Sequence, residues 1–319
     1  MKKVLIICGP KLGDVVVRVP IIEYLKRYKF DVYVFQETWS SFGRKFLENF
    51  NLVDTKKILL LNRKKISLLK FILNYFYSFD YVFCTAPTTK RTKFLGKSLF
   101  PKKKILYYDF NPIDKQCVIE SDKINLKKLL KLEMINYSLF DFSYILTRKL
   151  SNIKVNPIKI LIFPGMEIRS FTQECWDNIL EYLTEKFDKI ALIGGKDTLW
   201  LYINKKFKNV LDLRNKIDFL TTCSYIKACD FLITANSGIM WLAGLLGKKV
   251  IAFHGPSRWM WELSDKNFLN IRNWDYKKCL GFPCETGKFC NHKIYCLKTI
   301  KPNDIIQNFE EAFKKLNYQ

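Results

Sequence analysis

The residues best suited to chemistry lie where short apolar runs give way to turns. In "FLITANSGIMWLAGLLGKKVIAFHGPS" the run 231–234 leads into Asn236-Ser237-Gly238, and a helical pattern starts at once. A helix opening there offers unpaired N–H groups and the positive end of its dipole to an anion. Gly238 lets a phosphate approach the backbone, and Ser237 adds a hydroxyl donor. The same residues would also make an ordinary N-cap with a close-packed glycine. Three further glycine-bearing turns follow apolar runs in this half: Pro164-Gly165, Gly194-Gly195 and Gly255-Pro256. Several such turns together favour a nucleotide. Trp241, three residues after Gly238, either stacks on an adenine or a sugar face or is a core aromatic.

The first half has one comparable turn, Gly9-Pro10-Lys11-Leu12-Gly13-Asp14. It is neither a Walker motif nor G-x-G-x-x-G. It offers a carboxylate, Asp14, at the start of a helical pattern, with Lys11 and Gly13 beside it as candidate acceptor contacts. Asp14 reads either as a helix cap or as a general base acting on a hydroxyl. Near the C-terminal end Cys279, Cys284, Cys290 and Cys296 follow a C-x4-C-x5-C-x5-C spacing, with His292 nearby. The C-x2-C pairs of common zinc sites are missing. The four thiols are candidate metal ligands and equally candidate structural residues.

The elements that must carry these turns alternate. Short apolar runs are expected as strands at 4–8, 32–35, 58–61, 81–85 and 105–108, with helices at 15–28 and 68–79. The segment 123–150 is charged and periodic and reads as one long helix. A polar stretch with Asn156-Pro157 reads as a linker, and the alternation then restarts. Strands are expected at 159–163, 190–193, 210–213, 231–234 and 250–253, and helices at 172–187, 217–228, 239–246 and 303–316. This is an α/β chain of two doubly wound parallel sheets, 1–152 and 153–319, facing across a cleft. The last helix is allowed to pack back on the first domain. In such sheets ligands sit beyond the carboxyl ends of the strands.

Composition narrows the partners. The chain has 319 residues, 49% of them apolar, enough for two domains with large cores. Its net charge of +24 is uneven: residues 1–155 carry +17 and the remainder +7. A basic face attracts phosphate-rich partners such as nucleic acid, anionic lipid or a phosphorylated glycan. No RNP, helix-turn-helix or zinc-finger pattern accompanies the charge, so nucleic acid is not the expected partner. No run reaches the ~18–20 apolar residues of a membrane span. The five apolar residues after Lys2-Lys3 are too few for a signal-peptide core, which makes the cytoplasm the expected compartment.

With these residues in place the order of motifs is familiar. "KVLIICGPKLGDVVVRVPIIEYLK" resembles the opening of glycosyltransferase family 9, the lipopolysaccharide heptosyltransferase family, with its Gly-Asp turn and a helical proline, here Pro20. "ILIFPGMEIRSFTQECWDNIL" is similar to the Pro-Gly segment and Lys-x-Trp-Pro motif of that family. "IALIGGKDT" resembles its Gly-Gly strand end. The stretch 223–257 resembles its Asp-Ser-Gly-x-x-His-x-Ala motif and the Phe-Gly-Pro-Thr turn that follows. The four matches run in order from Lys3 to about Ser257.

The resemblance implies a GT-B fold of two Rossmann-like domains. It implies an inverting transfer of heptose from ADP-heptose to a lipopolysaccharide or lipooligosaccharide core, with Asp14 as the base. The acceptor would lie on the first domain. The donor would lie on the second, against Gly165, Arg169, Gly194, Gly195, Asn236, Ser237, Gly238, Trp241 and Gly255. No essential cofactor is implied beyond the nucleotide-sugar substrate, and no Asp-x-Asp is present to hold a metal. The expected partners are the nucleotide sugar, a phosphorylated lipid-A core glycan and the anionic inner face of the cytoplasmic membrane, which the chain would meet as a peripheral protein. Three positions depart from the pattern. Asn236 replaces the Asp, Trp241 replaces the His, and Arg169 replaces the Lys, still able to grip a diphosphate. The first two changes keep two alternatives open: a transferase with another donor or acceptor, and a nucleotide-binding relative without catalysis.

Overall fold

In a computed structural model the described residues are 1–9, 11–37, 42–61, 78–84, 105–107, 117–132, 135–167, 170–204, 207–255, 266–271, 297 and 300–317. Arg169 and the four tail cysteines at 279, 284, 290 and 296 lie outside them, as does most of the helix expected at 68–79. The chain divides into two compact units, Met1–Phe142 and Ser143–Gln319.

The first unit holds strands β1 (Lys3–Cys8), β2 (Asp31–Glu37), β3 (Ile58–Leu61), β4 (Tyr81–Cys84) and β5 (Ile105–Tyr107). All pair in parallel, in the order β3-β2-β1-β4-β5. The described helices are α1 (Leu12–Val16), α2 (Val19–Arg27), α3 (Phe42–Asn49) and α4 (Val118–Leu130). β1 is buried from Val4 to Cys8 without alternation, as a strand covered on both faces must be. The single helix expected at 15–28 is two. Pro20, near the start of α2, cannot donate to the turn before it, so the chain ends α1, bends at Val17-Arg18 and starts again. The long helix expected at 123–150 is also broken. Lys131 takes a left-handed conformation, φ 55°, and ends α4.

In the second unit a short helix, α5 (Ser143–Leu150), comes first. The strands are β6 (Ile158–Phe163), β7 (Ile190–Leu192), β8 (Val210–Asp212), β9 (Cys229–Ala235), β10 (Lys249–Phe253) and β11 (Phe268–Ile271). They too are all parallel, in the order β11-β10-β9-β6-β7-β8. The helices are α6 (Gln173–Lys186), α7 (Phe219–Ala228), α8 (Gly238–Leu245) and α9 (Pro302–Asn317). Capping side chains fix three of the starts. Thr172 Oγ1 accepts from Cys175 N at 3.1 Å, Asp218 Oδ1 from Thr221 N at 2.7 Å, and Ser237 Oγ from Ile239 N at 3.2 Å. The Asp218 carboxyl is held below its usual range by the N–H it accepts at Thr221.

Each sheet runs outward from its first strand, which gives both units one strand-order reversal: between β1 and β4, and between β6 and β9. That order is the doubly wound one, and its reversal points are where ligands bind. A large core of the second unit lies on one face of its sheet, on alternate residues such as Ile160, Ile162, Ile233 and Ile251. Phe171, Trp176 and Phe253 stack within it at centroid distances of 4.5–5.8 Å. The last helix belongs to this core through Ile305, Phe309, Ala312, Phe313 and Leu316.

Candidate functional site

The register of the second sheet gathers its glycine-bearing turns at one edge. Phe163 pairs with Thr234, Ile162 with Leu192, and Phe253 with Ala235. The chain therefore leaves β7, β6, β9 and β10 side by side, into Gly194-Gly195, Pro164-Gly165, Asn236-Ser237-Gly238 and His254-Gly255. The middle two flank the strand-order reversal. Here four turns spread over residues 164–255 of the sequence come to one end of the sheet.

Each glycine has its own reason to be there. Gly165 turns with φ 80°, which disfavours a side chain, and its carbonyl accepts from Trp200 Nε1 at 2.9 Å. Gly194 has φ 147°, and a Cβ there would lie 2.4 Å from Thr198 Oγ1. Gly195 takes no positive φ; its carbonyl caps the next turn by accepting from Thr198 Oγ1 at 2.7 Å. At Gly255 a Cβ would meet Leu297 Cδ1 at 3.2 Å. Gly194 and Gly255 are thus crowded from within the protein, and their small size is already accounted for by packing.

At the start of α8, Ser237 caps the helix and lies 3.5 Å from the hydroxyl of Thr234. Asn236 donates its main-chain N–H to Phe253 O at 3.1 Å, tying the loop to β10. Its side-chain amide meets His254 Nδ1 at 3.1 Å, and His254 Nε2 meets Asn270 Oδ1 at 2.8 Å. Gly238 remains partly exposed at the first helical position. Trp241, about one turn further along α8, is buried at 2% exposure. Of its two readings, this burial favours the core aromatic. Sequence reasoning passed over His254 and Asn270. The one signal for His254 was its rarity, as one of two histidines in the chain, directly before a Gly-Pro turn.

In the first unit the turn after β1 leads into α1, with Lys11 exposed at the cap position and Gly13 buried. Asp14 is half-buried, and its Oδ2 accepts from the main-chain N–H of Lys11 at 3.1 Å. Gly9 makes room for it, since a Cβ there would lie 2.3 Å from Asp14 Oδ2. Four residues on, Arg18 is fully buried and pairs with Asp122 on α4. Burial pushes the Asp122 carboxyl up to about 7, against the pull of the guanidinium. Among the described residues no group of three His, Cys, Asp or Glu side chains converges as a metal site would. None of the described helices is long and apolar enough to cross a membrane.

These two strand-order reversals, each with a small-residue turn beyond its central strand, invite comparison with known proteins. No family model matches the chain. It is 29% identical to lipooligosaccharide heptosyltransferase 2 of Campylobacter jejuni over 115 residues, 35% of this chain and 33% of that protein. The match therefore spans about a third of the length of the curated relatives. Whole-chain likeness comes from solved structures. The glycosyl transferase family 9 protein of Veillonella parvula superposes with a TM-score of 0.66 at 14% identity, over 98% of this chain and 97% of that one. The chain has the fold of the family 9 glycosyltransferases. Escherichia coli heptosyltransferase WaaC with ADP gives 0.68 at 14% identity, over 97% and 99%. This GT-B likeness extends past the four motifs to nearly all of both chains.

Proposed function

We propose that the chain is an inverting glycosyltransferase that moves a heptose from ADP-heptose to a lipopolysaccharide or lipooligosaccharide core. The observation that carries the reading is the second unit's strand-order reversal, where Gly165 and the Asn236-Ser237-Gly238 start of α8 lie together. A diphosphate seated there meets backbone N–H groups and the positive end of α8, which would also stabilise the charge that develops as the nucleotide diphosphate leaves. Gly194, Gly195 and Gly255 border the same surface. Arg169, outside the described residues, is the proposed cation for the diphosphate. The heptosyltransferase names among the relatives, and the ADP in the WaaC structure, support this choice of donor.

Asp14 is the proposed general base. It takes the proton of the acceptor hydroxyl as that oxygen attacks the anomeric carbon; the bond from that carbon to the diphosphate oxygen breaks on the opposite face, so configuration inverts. The N–H of Lys11 holds the carboxylate in one orientation. Lys11 and Gly13 are proposed to line the acceptor side, and the +17 of residues 1–155 suits a phosphorylated core at an anionic membrane surface.

The test is transfer from ADP-heptose by wild type and Asp14→Asn, alongside ADP binding followed by thermal shift. Transfer should fall by about a hundredfold or more while the ADP-induced shift persists. Full activity in Asp14→Asn would remove Asp14 from the mechanism. A second reading, another nucleotide-sugar donor, is favoured by one observation: residue 236 is an amide bonded to a histidine. Stabilisation by UDP or GDP sugars and not by ADP-heptose would select it. A nucleotide response with no transfer from any nucleotide sugar would leave the non-catalytic relative.

A further inference from the structure

His254 is buried completely, and its main-chain N–H and both ring nitrogens have partners. Its main-chain N–H donates to Ile271 O at 2.9 Å, which fixes it at the end of β10 next to β11. Nε2 faces Asn270 Oδ1 at 2.8 Å, and Nδ1 faces the Asn236 Nδ2 amide at 3.1 Å. With Asn270 Oδ1 and the Asn236 amide nitrogen turned towards the ring, the two neighbours set its tautomer. A carbonyl oxygen only accepts, so Nε2 must carry the proton. An NH2 group only donates, so Nδ1 must offer a lone pair. The imidazole is therefore neutral and in its Nε2–H form. It links three strand ends, β9 through Asn236, β10 through itself, and β11 through Asn270.

We infer that His254 is a positioning residue for the donor site, fixing the Asn236 amide and with it the loop that opens α8. The inference rests on the donor-site reading above and adds a specificity to it. The amide at 236 and the neutral imidazole require one another. A carboxylate at 236 has no proton to give Nδ1, so with the Asn270 oxygen held on Nε2 an Asp there calls for a doubly protonated ring, which exchanges a neutral pair for a buried charged one. The chain thus keeps an uncharged loop at the start of α8, with no carboxylate to repel a diphosphate. The residue that resembles an altered motif, Asn236, is half of a matched pair.

The test combines ADP binding by calorimetry with the imidazole nitrogen spectrum of the full chain. His254→Gln retains one acceptor and one donor at the right ends; His254→Phe retains neither. Binding should weaken roughly tenfold in His254→Phe, about what one lost hydrogen bond amounts to, and recover to within about threefold of wild type in His254→Gln. The spectrum should show a neutral Nε2–H ring for His254 in wild type and a doubly protonated one in Asn236→Asp. His292 is the only other histidine, so its substitution assigns the signals. If His254→Phe fails to fold, His254→Gln still decides, because binding more than tenfold weaker than wild type in that variant overturns the inference. Equal binding in His254→Phe and wild type overturns it as well, as does an Nδ1–H ring in wild type. Wild type that binds no ADP at all sinks the donor reading first, and the positioning role with it.

Discussion

Placing a methyl group on Gly194 tests how this turn is built. The residue has φ 147°, where a side chain is strained by about 1–3 kcal/mol. The new Cβ would also lie 2.4 Å from Thr198 Oγ1 and 2.5 Å from its Cγ2. Thr198 cannot readily yield, because it is fully buried and its hydroxyl donates to Gly195 O at 2.7 Å. Overpacking of this kind costs about 1–3 kcal/mol. Gly194→Ala should therefore destabilise the second unit by about 2–6 kcal/mol. At about 2–4 °C per kcal/mol for a domain of this size, its melting transition should fall by about 4–24 °C in calorimetry. Thr198→Ala removes the two nearest atoms but leaves Cβ at 2.9 Å, so it relieves part of the clash and none of the backbone strain. In the double variant the loss should be smaller than the sum of the single losses by about 1–2 kcal/mol. Strict additivity, or a Gly194→Ala protein within about 0.5 kcal/mol of wild type by urea unfolding, would refute the reasoning.

Three further outcomes are expected. Ser170→Ala strips the Trp176 Nε1–H of the hydroxyl it donates to at 2.9 Å inside the core, and the orphaned donor should cost about 1–3 kcal/mol in a denaturant titration. Gly9→Ala must displace the Asp14 carboxylate, so transfer from ADP-heptose should drop by tenfold or more with ADP-induced stabilisation unchanged; equal rates would separate Gly9 from Asp14. The buried Asp122 carboxyl, raised to about 7, keeps in the folded chain a proton that the unfolded chain releases near pH 4. That contribution is fully present below about pH 4 and is lost as pH rises through about 7, so Asp122→Asn should flatten the decline of unfolding free energy across that window.

The strands were legible because burial on both faces writes each one as an unbroken apolar run, as in "VLIIC" and "ILIF". β11 was not: Phe268–Ile271 is four residues long and is interrupted by Asn270, which faces His254. Both broken helices have local causes of unequal visibility. Pro20 is plain in the sequence, but the left-handed turn at Lys131 falls on a residue with no preference for it. Asp14 and the Asn236-Ser237-Gly238 turn were readable as types at strand ends. The Asn236–His254–Asn270 link was not, because only the parallel register of three strands brings those residues together. Trp241 shows the converse limit: a helix pattern apolar on every side does not tell which face meets solvent.

The interior thiols give the molecule a clock. Cys8 lies in β1 of the first unit, and Cys175, Cys223 and Cys229 lie in the second, all four buried and outside any disulfide. Burial pushes Cys175 and Cys229 up to about 12 and Cys223 higher still, so in the closed protein almost no thiolate is available to a reagent. Modification at these positions must wait for the surrounding structure to open. Mass-resolved labelling over time would then report the opening of each sheet separately, with Cys8 timing one and the other three timing the second. A bound nucleotide would reveal its seat by slowing one set of rates and leaving the other unchanged.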